Sequence, residues 1–412
     1  ESLGVFVGGG TIAAAQAVAG AGAATLGQLA RANLIRLNDG RFALLETLRS
    51  FAQEQLAATG ALADGRAAHA RYYTDFARQV FAGLQGDDQT AWMARAIADH
   101  DNCLAALRWA LGAGDGDTAV AIASGLWWFW YRRGYYALGR ELLTVALALP
   151  SADLAARADA LNGLAAFCGV QEDYAATFAA HEQGLALRRQ LGDANGVATV
   201  LHNMGLATFL MGDFARAAAQ LEESIAISPE SDPTSAYAHL GLIAQETHDL
   251  VAARRWLELA YDGAMKTAAG WMQAFVMNYL ADVVRELGEL DEAERLATAS
   301  LRLFTQMDDS HYLPDAQVTL AQIALNRGDT AAAAGLVGLA AAQYAARDDA
   351  AALATAILVQ ADIARQEGRR AEGAALLARS RVLRGSVSRA MSPHERAQYD
   401  RVAAALEAET GA

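Results

Sequence analysis

Small side chains recur through most of this chain at an almost constant spacing, within stretches where apolar residues return every three or four positions. Successive members of the first series are 40, 36, 40, 40 and 40 residues apart. Its members are Ala165, Gly205, Gly241, Ala281, Ala321 and Ala361. Two further series of small residues follow, 12 and 19 positions after each member. A period near 40 with this apolar pattern predicts a stack of repeated helical hairpins.

The small residues mark the places where the two helices of a hairpin approach closely, because larger side chains would separate helices that pack about 8–10 Å apart. Short turn signals stand between the helices, with glycine at four of the six turns and an acidic residue after it in most of them. We expect the first helix to end there in a left-handed conformation and the acidic side chain to cap the second helix. The six turns lie at 172–173, 212–213, 248–249, 288–289, 328–329 and 368–369.

The first 60 residues have a different pattern, which predicts helix, helix, hairpin, helix. Two short apolar runs, 34–37 and 42–45, flank the pair Asp39 and Gly40, and an Asp-Gly pair in that place is a strong signal for a tight β-hairpin. Helices followed by a small hairpin have the outline of a winged helix. We therefore predict a winged-helix-like domain at 1–60, and the apolar stripes that follow it predict a helical linker at 61–116.

Five segments of the chain carry a resemblance to a known family. They are LGVFVGG at 3–9, NDGRFALLETLR at 38–49, HDNCLAALRWAL at 100–111, WWFWYRRG at 127–134 and SPHERAQY at 392–399. The small positions of the hairpins are similar to those of the tetratricopeptide repeat, and the five segments resemble the winged helix and repeat arm of bacterial STAND ATPases. These are large signal-transduction NTPases of the maltose-regulator and antibiotic-regulator type.

This resemblance implies an all-α fold, a right-handed tetratricopeptide superhelix of about seven hairpins at 117–385 that follows the winged helix and the linker. A C-terminal helix or tail would occupy 386–412. Family members carry a nucleotide-binding domain before the winged helix and often a DNA-binding domain at one end. Neither is found here, so we expect an interior fragment or a truncated relative.

The function that the resemblance implies is that of a non-catalytic regulatory arm. An inducer or protein partner on the arm would release the absent ATPase domain from autoinhibition, with ATP and Mg²⁺ bound there and self-association possible. A bacterial transcriptional regulator is the favoured whole protein. Two alternatives stay open: a free-standing adaptor that binds peptides or proteins, and the arm of a nucleotide cyclase.

Composition narrows the choice of partners and compartment. The net charge of −14 makes direct binding to nucleic acid unfavourable, because such a surface repels phosphates. Cys103 and Cys168 match no metal or disulfide spacing, which favours buried thiols in a reducing cytoplasm. The stretch 2–30 carries no charge, but its small residues favour a buried helical pair over a membrane span.

Motifs for chemistry are weak throughout the sequence. The single lysine, Lys266, follows Met265 where a phosphate-binding loop requires glycine, and it precedes Thr267. The eight histidines form no spacing typical of a metal site. We therefore expect no catalysis, no metal and no cofactor in this chain. The aromatic cluster at 127–131 would suit a ligand cage, but helical spacing favours core packing.

The first helix of each tetratricopeptide hairpin lines the concave groove of the superhelix. Taking the first small series as the reference, the polar residues expected to face this groove are Asn162, His202, Gln245, Asn278, Asp282, Arg285, Gln322, Asp362 and Arg365. Amides, imidazole and guanidinium groups could hold a peptide backbone or a small polar ligand. The alternative is an ordinary solvated face. Four arginines around the hairpin, at 31, 36, 41 and 49, suit either phosphate contacts or contacts within the protein, and the family resemblance favours the latter.

Overall fold

The computed structural model describes residues 1–86, 88–229, 232–266, 270–387 and 390–408. Thr267 and the last four residues of the predicted tail lie outside this range. The chain divides into two compact units, Glu1–Val200 and Leu201–Ala412. This boundary lies within the predicted repeats and coincides with none of the predicted domain limits. The limits at 60, 116 and 385 therefore stay predictions. The predicted all-α class is confirmed, with one small sheet near the start of the chain.

The beginning of the first unit follows the predicted order of elements. After a short 3-10 helix at Ser2–Val5, the elements are β1 (Gly10–Thr11), α1 (Ile12–Ala19), α2 (Ala23–Arg31), β2 (Ile35–Asn38), β3 (Arg41–Leu44) and α3 (Glu46–Ala58). Asp39 and Gly40 both have positive φ, as a tight hairpin turn requires, and Asn38 pairs with Arg41. The strand β1, which the pattern did not predict, pairs with β3, so the sheet order is β1-β3-β2.

Long helices complete the first unit. They are α4 (Leu62–Gly83), α5 (Gln89–Ala113), α6 (Gly116–Arg132), α7 (Tyr136–Ala148), α8 (Leu154–Val170) and α9 (Tyr174–Leu191). The aromatic cluster on α6 lies in the hydrophobic core, where Phe129 and Trp130 are fully buried and Trp127 nearly so. Gly125 lies so close to α4 that a Cβ there would be 2.6 Å from the Ala77 carbonyl carbon. This contact explains why a small residue occurs among the aromatic ones.

The chain continues as helix pairs. The helices are α10 (Ala194–Leu210), α11 (Phe214–Ile227), α12 (Thr234–Glu246), α13 (Leu250–Ala264), α14 (Gly270–Glu286), α15 (Leu290–Gln306), α16 (Leu313–Asn326), α17 (Thr330–Ala346), α18 (Ala350–Gln366), α19 (Arg370–Gly385) and α20 (Pro393–Ala408). Within the second unit each helix of a pair contacts its partner, and the first helices α12, α14, α16 and α18 contact one another in sequence. From α6 to α19 the described helices follow one another as seven consecutive pairs.

The turns between paired helices confirm the left-handed conformation expected there. Positive φ occurs at the four glycines, and also at Glu172 and His248, where a side chain is present. Aspartate caps the second helix at 173, 213, 249 and 329, but Glu289 and Arg369 make no side-chain capping bond. Four more aspartates accept a backbone N–H at the start of other helices, namely Asp115, Asp153, Asp193 and Asp349.

The first series of small residues is buried in every hairpin. Ala165, Ala281, Ala321 and Ala361 are fully buried, and Gly205 and Gly241 are buried as well. A Cβ at Gly241 would lie 2.5 Å from the Cγ of Leu257 on the partner helix. The third series contributes hydrogen bonds: the hydroxyls of Ser300 and Ser380 donate to the carbonyls of Ala274 and Ala354. Close approach and this hydrogen bond account for the small size of these positions.

Candidate binding groove

A buried group of charges forms the centre of the candidate site in the second unit. Arg285 on α14 is 2% exposed, and its Nη2 donates to Asp282 Oδ1 at 2.6 Å and to Glu286 Oε1 at 2.9 Å. Its Nε donates to the same Asp282 oxygen at 2.9 Å, and Gln245 on α12 donates to the other one at 2.6 Å. Three of the nine predicted groove residues therefore meet in one network.

The network keeps the Asp282 carboxylate and the Arg285 guanidinium charged. Burial alone would raise the pKa of Asp282, but the Arg285 guanidinium beside it outweighs burial and lowers that pKa. Burial alone would lower the pKa of Arg285, yet the two neighbouring carboxylates raise it. The ion pair of Asp282 and Arg285 therefore stays charged although Arg285 is buried.

A cavity of about 330 Å³ adjoins this network. Its wall includes the polar residues Gln245, Asn278, Asp282, Asp315, Gln322 and Thr355 from α12, α14, α16 and α18, together with His394 and Gln398 from α20. The Asn278 side chain is 4% exposed, and its Oδ1 has no hydrogen-bond partner among the described atoms. An unsatisfied buried acceptor next to a cavity is an attachment point for a ligand that donates a hydrogen bond.

Asp315 adds a carboxyl group with an altered pKa to the same cavity. Burial raises its pKa to about 6, although the hydrogen bond from the Tyr344 hydroxyl, 2.5 Å away, acts in the opposite direction. Burial and the Asp315 charge together raise the pKa of Tyr344, so its hydroxyl stays protonated and donates. Neither residue belongs to the predicted set, because neither lies at the repeat positions that were used to define the groove.

The C-terminal helix α20 forms the remaining wall of the cavity and contacts α12, α18 and α19. Its start is fixed by a capping box, in which Glu395 N donates to Ser392 Oγ at 3.0 Å and Ser392 N donates to Glu395 Oε2 at 2.7 Å. Glu395 also accepts from Arg384 at 2.9 Å, and the Tyr399 hydroxyl lies 2.5 Å from Ser380 Oγ. The sequence contains this signal as Ser-x-x-Glu, but it does not reveal where the helix packs.

The other predicted groove residues lie in different surroundings. Asp362 and Arg365 form an ion pair on α18 at 2.7 Å, and Asp362 lines a smaller cavity with Gln322 and Arg285. His202 packs against His239, with ring centroids 5.8 Å apart, and burial together with the His239 charge lowers its pKa to about 4. Asn162 is half-buried in the first unit. Five of the nine predicted residues therefore lie at the cavity or in the charge network, namely Gln245, Asn278, Asp282, Arg285 and Gln322.

Two of the four arginines around the hairpin, Arg41 and Arg49, form ion pairs with carboxylates of the first unit. Arg41 donates from Nη1 to Asp99 Oδ2 at 2.7 Å and from Nη2 to Oδ1 at 2.9 Å, and the Tyr73 hydroxyl shares Oδ1 at 3.0 Å. Asn102, one turn further along α5, donates to the Gly9 carbonyl at 2.8 Å. Arg49 pairs with Glu46 on its own helix. Arg41 therefore connects β3 to α5 inside the first unit.

Comparison with known proteins identifies one stretch of the repeats. Residues 156–230 match the tetratricopeptide repeat family. A protein of Mycobacterium tuberculosis, named as a candidate HTH-type transcriptional regulator, is 31% identical over 180 residues, and a Mycobacterium bovis protein matches equally well. The match covers 41% of this chain, and the chain spans about a fifth of the length of these relatives.

Two solved structures share the fold. One is a Signal Transduction ATPase with Numerous Domains (STAND) protein with a tetratricopeptide repeat sensor from Pyrococcus horikoshii, with a TM-score of 0.58 and 12% identity. The likeness covers 98% of this chain and 64% of that one. The other is the apo form of RapI, with a TM-score of 0.52 and 15% identity over 68% of this chain and 99% of that one.

In the described ranges no single helix is long and apolar enough to span a membrane. The helices α1 and α2 together reach that length and apolarity, but they are bent by 104° relative to each other.

The family match and the shared fold lead to one conclusion. The chain is an all-α helical-repeat protein with tetratricopeptide repeats, of the fold used for protein interaction.

Proposed function

We propose that this chain is the sensing arm of a STAND-type, ATP-dependent regulator of transcription, and that it has no catalytic role itself. Support comes from the fold shared with a STAND protein that has a tetratricopeptide repeat sensor, and from the named regulators among the sequence relatives. In this proposal ATP binds in a nucleotide-binding domain of the whole protein. The arm supplies the signal-dependent contact, which is the kind of task that stacked helical hairpins perform.

The observation that carries the proposal is the cavity beside Asn278. Its wall is rich in acceptors, because Asp282 and Asp315 face it and the buried Asn278 Oδ1 has no partner among the described atoms. A ligand that fits must donate hydrogen bonds, so we infer a neutral or cationic polar inducer, or a peptide segment with amide or ammonium donors. Each hydrogen bond to a charged group contributes about 1.5–3 kcal/mol.

The position of α20 explains how such a ligand would transmit a signal. The cavity is bounded by four first helices on one side and by α20 on the other, so a bound ligand contacts both. A ligand shifts a conformational equilibrium only by its difference in affinity for the two states. A shift from 1:99 to 99:1 requires about 5.5 kcal/mol. Two or three hydrogen bonds approach this value, and ATP binding and self-association in the whole protein would add the rest.

A thermal-shift and native-mass screen of this chain against pooled metabolites and peptides tests the proposal, with ATP as a control. Asn162 and Asn278 stand at the same repeat position in different units, so their alanine variants form a matched pair. We expect a stabilising compound whose effect is lost in Asn278→Ala and kept in Asn162→Ala.

Two results would contradict the proposal. A compound that binds equally to both variants would not occupy the cavity. Stabilisation by ATP alone would contradict the assignment of ATP to another domain. If no metabolite binds but a peptide does, the inducer is a protein segment and the chain acts as an adaptor.

A further inference from the structure

Three side chains that are distant in the sequence meet next to the buried charge network. His248 stands in the turn between α12 and α13, Glu286 is the last residue of α14, and His394 is the second residue of α20. One ligand atom from each lies within 4.8 Å of the other two. The spacing of histidines in the sequence gives no sign of this group, because 38 and 108 residues separate its members.

The three residues differ in exposure in a way that suits an accessible ion site. His394 is 7% exposed and its Nδ1 has no hydrogen-bond partner among the described atoms, while its Nε2 lies 3.4 Å from Glu286 Oε1. His248 is exposed, and its ring centroid is 5.9 Å from that of His394. A cavity of about 360 Å³ reaches all three side chains and leaves room for water molecules as further ligands.

The geometry and the ligand types suit a tetrahedral ion. Bonds of about 2.0–2.1 Å place neighbouring ligand atoms of a tetrahedral zinc site about 3.3 Å apart, close to the distance between His394 and Glu286. The ligand atoms already lie within 4.8 Å of one another, so the exposed His248 has to approach by about 1.5 Å at most. Two imidazoles and one carboxylate form a set that zinc prefers, whereas Mg²⁺ and Ca²⁺ prefer oxygen ligands alone.

The neighbours of the group leave its ligand atoms within reach of an ion. Glu286 and Asp282 share the single guanidinium of Arg285. Arg401 also lines the cavity, and the Gln398 amide, 2.8 Å from His394 Nε2, would turn aside on binding. We propose that His248, Glu286 and His394 form a site for Zn²⁺ or a similar divalent transition metal, which fastens α20 to the hairpins. This inference does not depend on the proposed function.

Calorimetric titration of the tag-free, metal-free chain with Zn²⁺ tests the site. We expect one equivalent to bind, His248→Ala to weaken the affinity at least tenfold, and Mg²⁺ not to compete. His311→Ala is the matched control, because His311 is likewise exposed near a turn but lies outside the group, and its affinity should equal that of the native chain. Both substituted histidines are exposed, and since His248 has positive φ, His248→Gly, which accepts that conformation, serves as a second variant with the same expected loss of affinity.

Hydrogen exchange provides a second readout that ordinary surface binding would not change. Bound Zn²⁺ should slow amide exchange in α20, because the ion connects the start of that helix to α14 and to the turn before α13. The slowing should disappear in His248→Ala. Equal Zn²⁺ affinity in both histidine variants, or unchanged exchange in α20 at saturation, would overturn the proposal.

Discussion

Replacing Arg285 with methionine tests the role of the buried charges in the second unit. Methionine has a similar length and keeps the packing, but it leaves Asp282 and Glu286 without the three hydrogen bonds that they accept from the guanidinium. Removing one partner of a buried ion pair destabilises a protein by about 3–5 kcal/mol. The Arg285 side chain is 1% exposed and the Asp282 side chain 17%, so water can reach Asp282 only in part, and we expect a loss of about 3 kcal/mol, at the lower end of that range.

The chain provides its own matched control for this substitution. Arg365 stands two repeat periods after Arg285 and pairs with Asp362 at the same i,i+3 spacing. The Arg365 side chain is 19% exposed and the Asp362 side chain is 17% exposed. Because water reaches both groups, Arg365→Met should lower the free energy of unfolding by only about 1 kcal/mol. Urea unfolding followed by circular dichroism measures the loss of stability in both variants. The values can be compared when the m-value is the same in the native chain and in the variants.

A rescue variant separates charge from packing. Combining Arg285→Met with Asp282→Asn and Glu286→Gln removes the uncompensated charges and should restore most of the lost stability. Equal losses in the two arginine variants would contradict this reasoning, as would a triple variant no more stable than Arg285→Met.

Three further substitutions address the helix contacts, the cavity and the hairpin. Ala281→Leu should lower the free energy of unfolding by about 1–3 kcal/mol in urea, since Ala281 is fully buried between paired helices. Burial raises the pKa of Asp315 to about 6, so its ionised form is disfavoured in the fold and stability falls as the pH rises from about 4 through 6. Asp315→Asn should remove that fall and stabilise the chain at pH 7.5 by about 1–3 kcal/mol. Arg41→Met should speed amide exchange in β2 and β3 and lower stability by about 2 kcal/mol, because its buried carboxylate partner on α5 loses two hydrogen bonds.

Exposed residues supply the controls for these variants. Ala342→Leu on α17 and Asp400→Asn on α20 should change stability by less than about 0.5 kcal/mol. A loss in Ala342→Leu equal to that in Ala281→Leu would contradict the explanation of the small positions by close packing. A stability difference between native and Asp315→Asn chains that does not change with pH would contradict the raised pKa of Asp315.

The repeats could be predicted from the sequence because every hairpin needs the same residue types at the same positions. A small residue where helices touch, a left-handed residue where one helix ends and an aspartate where the next begins recur with one period, so single exceptions do not hide the pattern. Glu289 shows the limit: it stands where aspartate caps other helices, but it makes no side-chain capping bond. Its longer side chain instead accepts from Arg254 at 2.6 Å.

The candidate site could be predicted only in part. Asn278, Asp282 and Arg285 could be predicted because they stand at the groove-facing repeat positions of α14. Asp315 lies on α16 outside those positions, and His394 lies on α20, which is not part of the repeats, so neither could be predicted in this way. Contacts between residues 100 or more positions apart leave no local pattern in a single sequence. The two-residue strand β1 was missed for a related reason, because two residues are too few to show an alternation.

The aspartates that start the helices also explain a bulk property of the chain. Among the described residues, eight aspartates that stand directly before a helix accept a backbone N–H from its first turn, out of 47 acidic residues in the chain. Part of the acidity that sets the net charge of −14 and the isoelectric point near 5.0 therefore serves local folding. Asparagine caps a helix about as well as aspartate does. Replacing these eight aspartates with asparagine should therefore move the isoelectric point towards neutrality, while the hairpins keep their turns. The net charge, and with it the solubility of the chain, could then be changed without changing the fold.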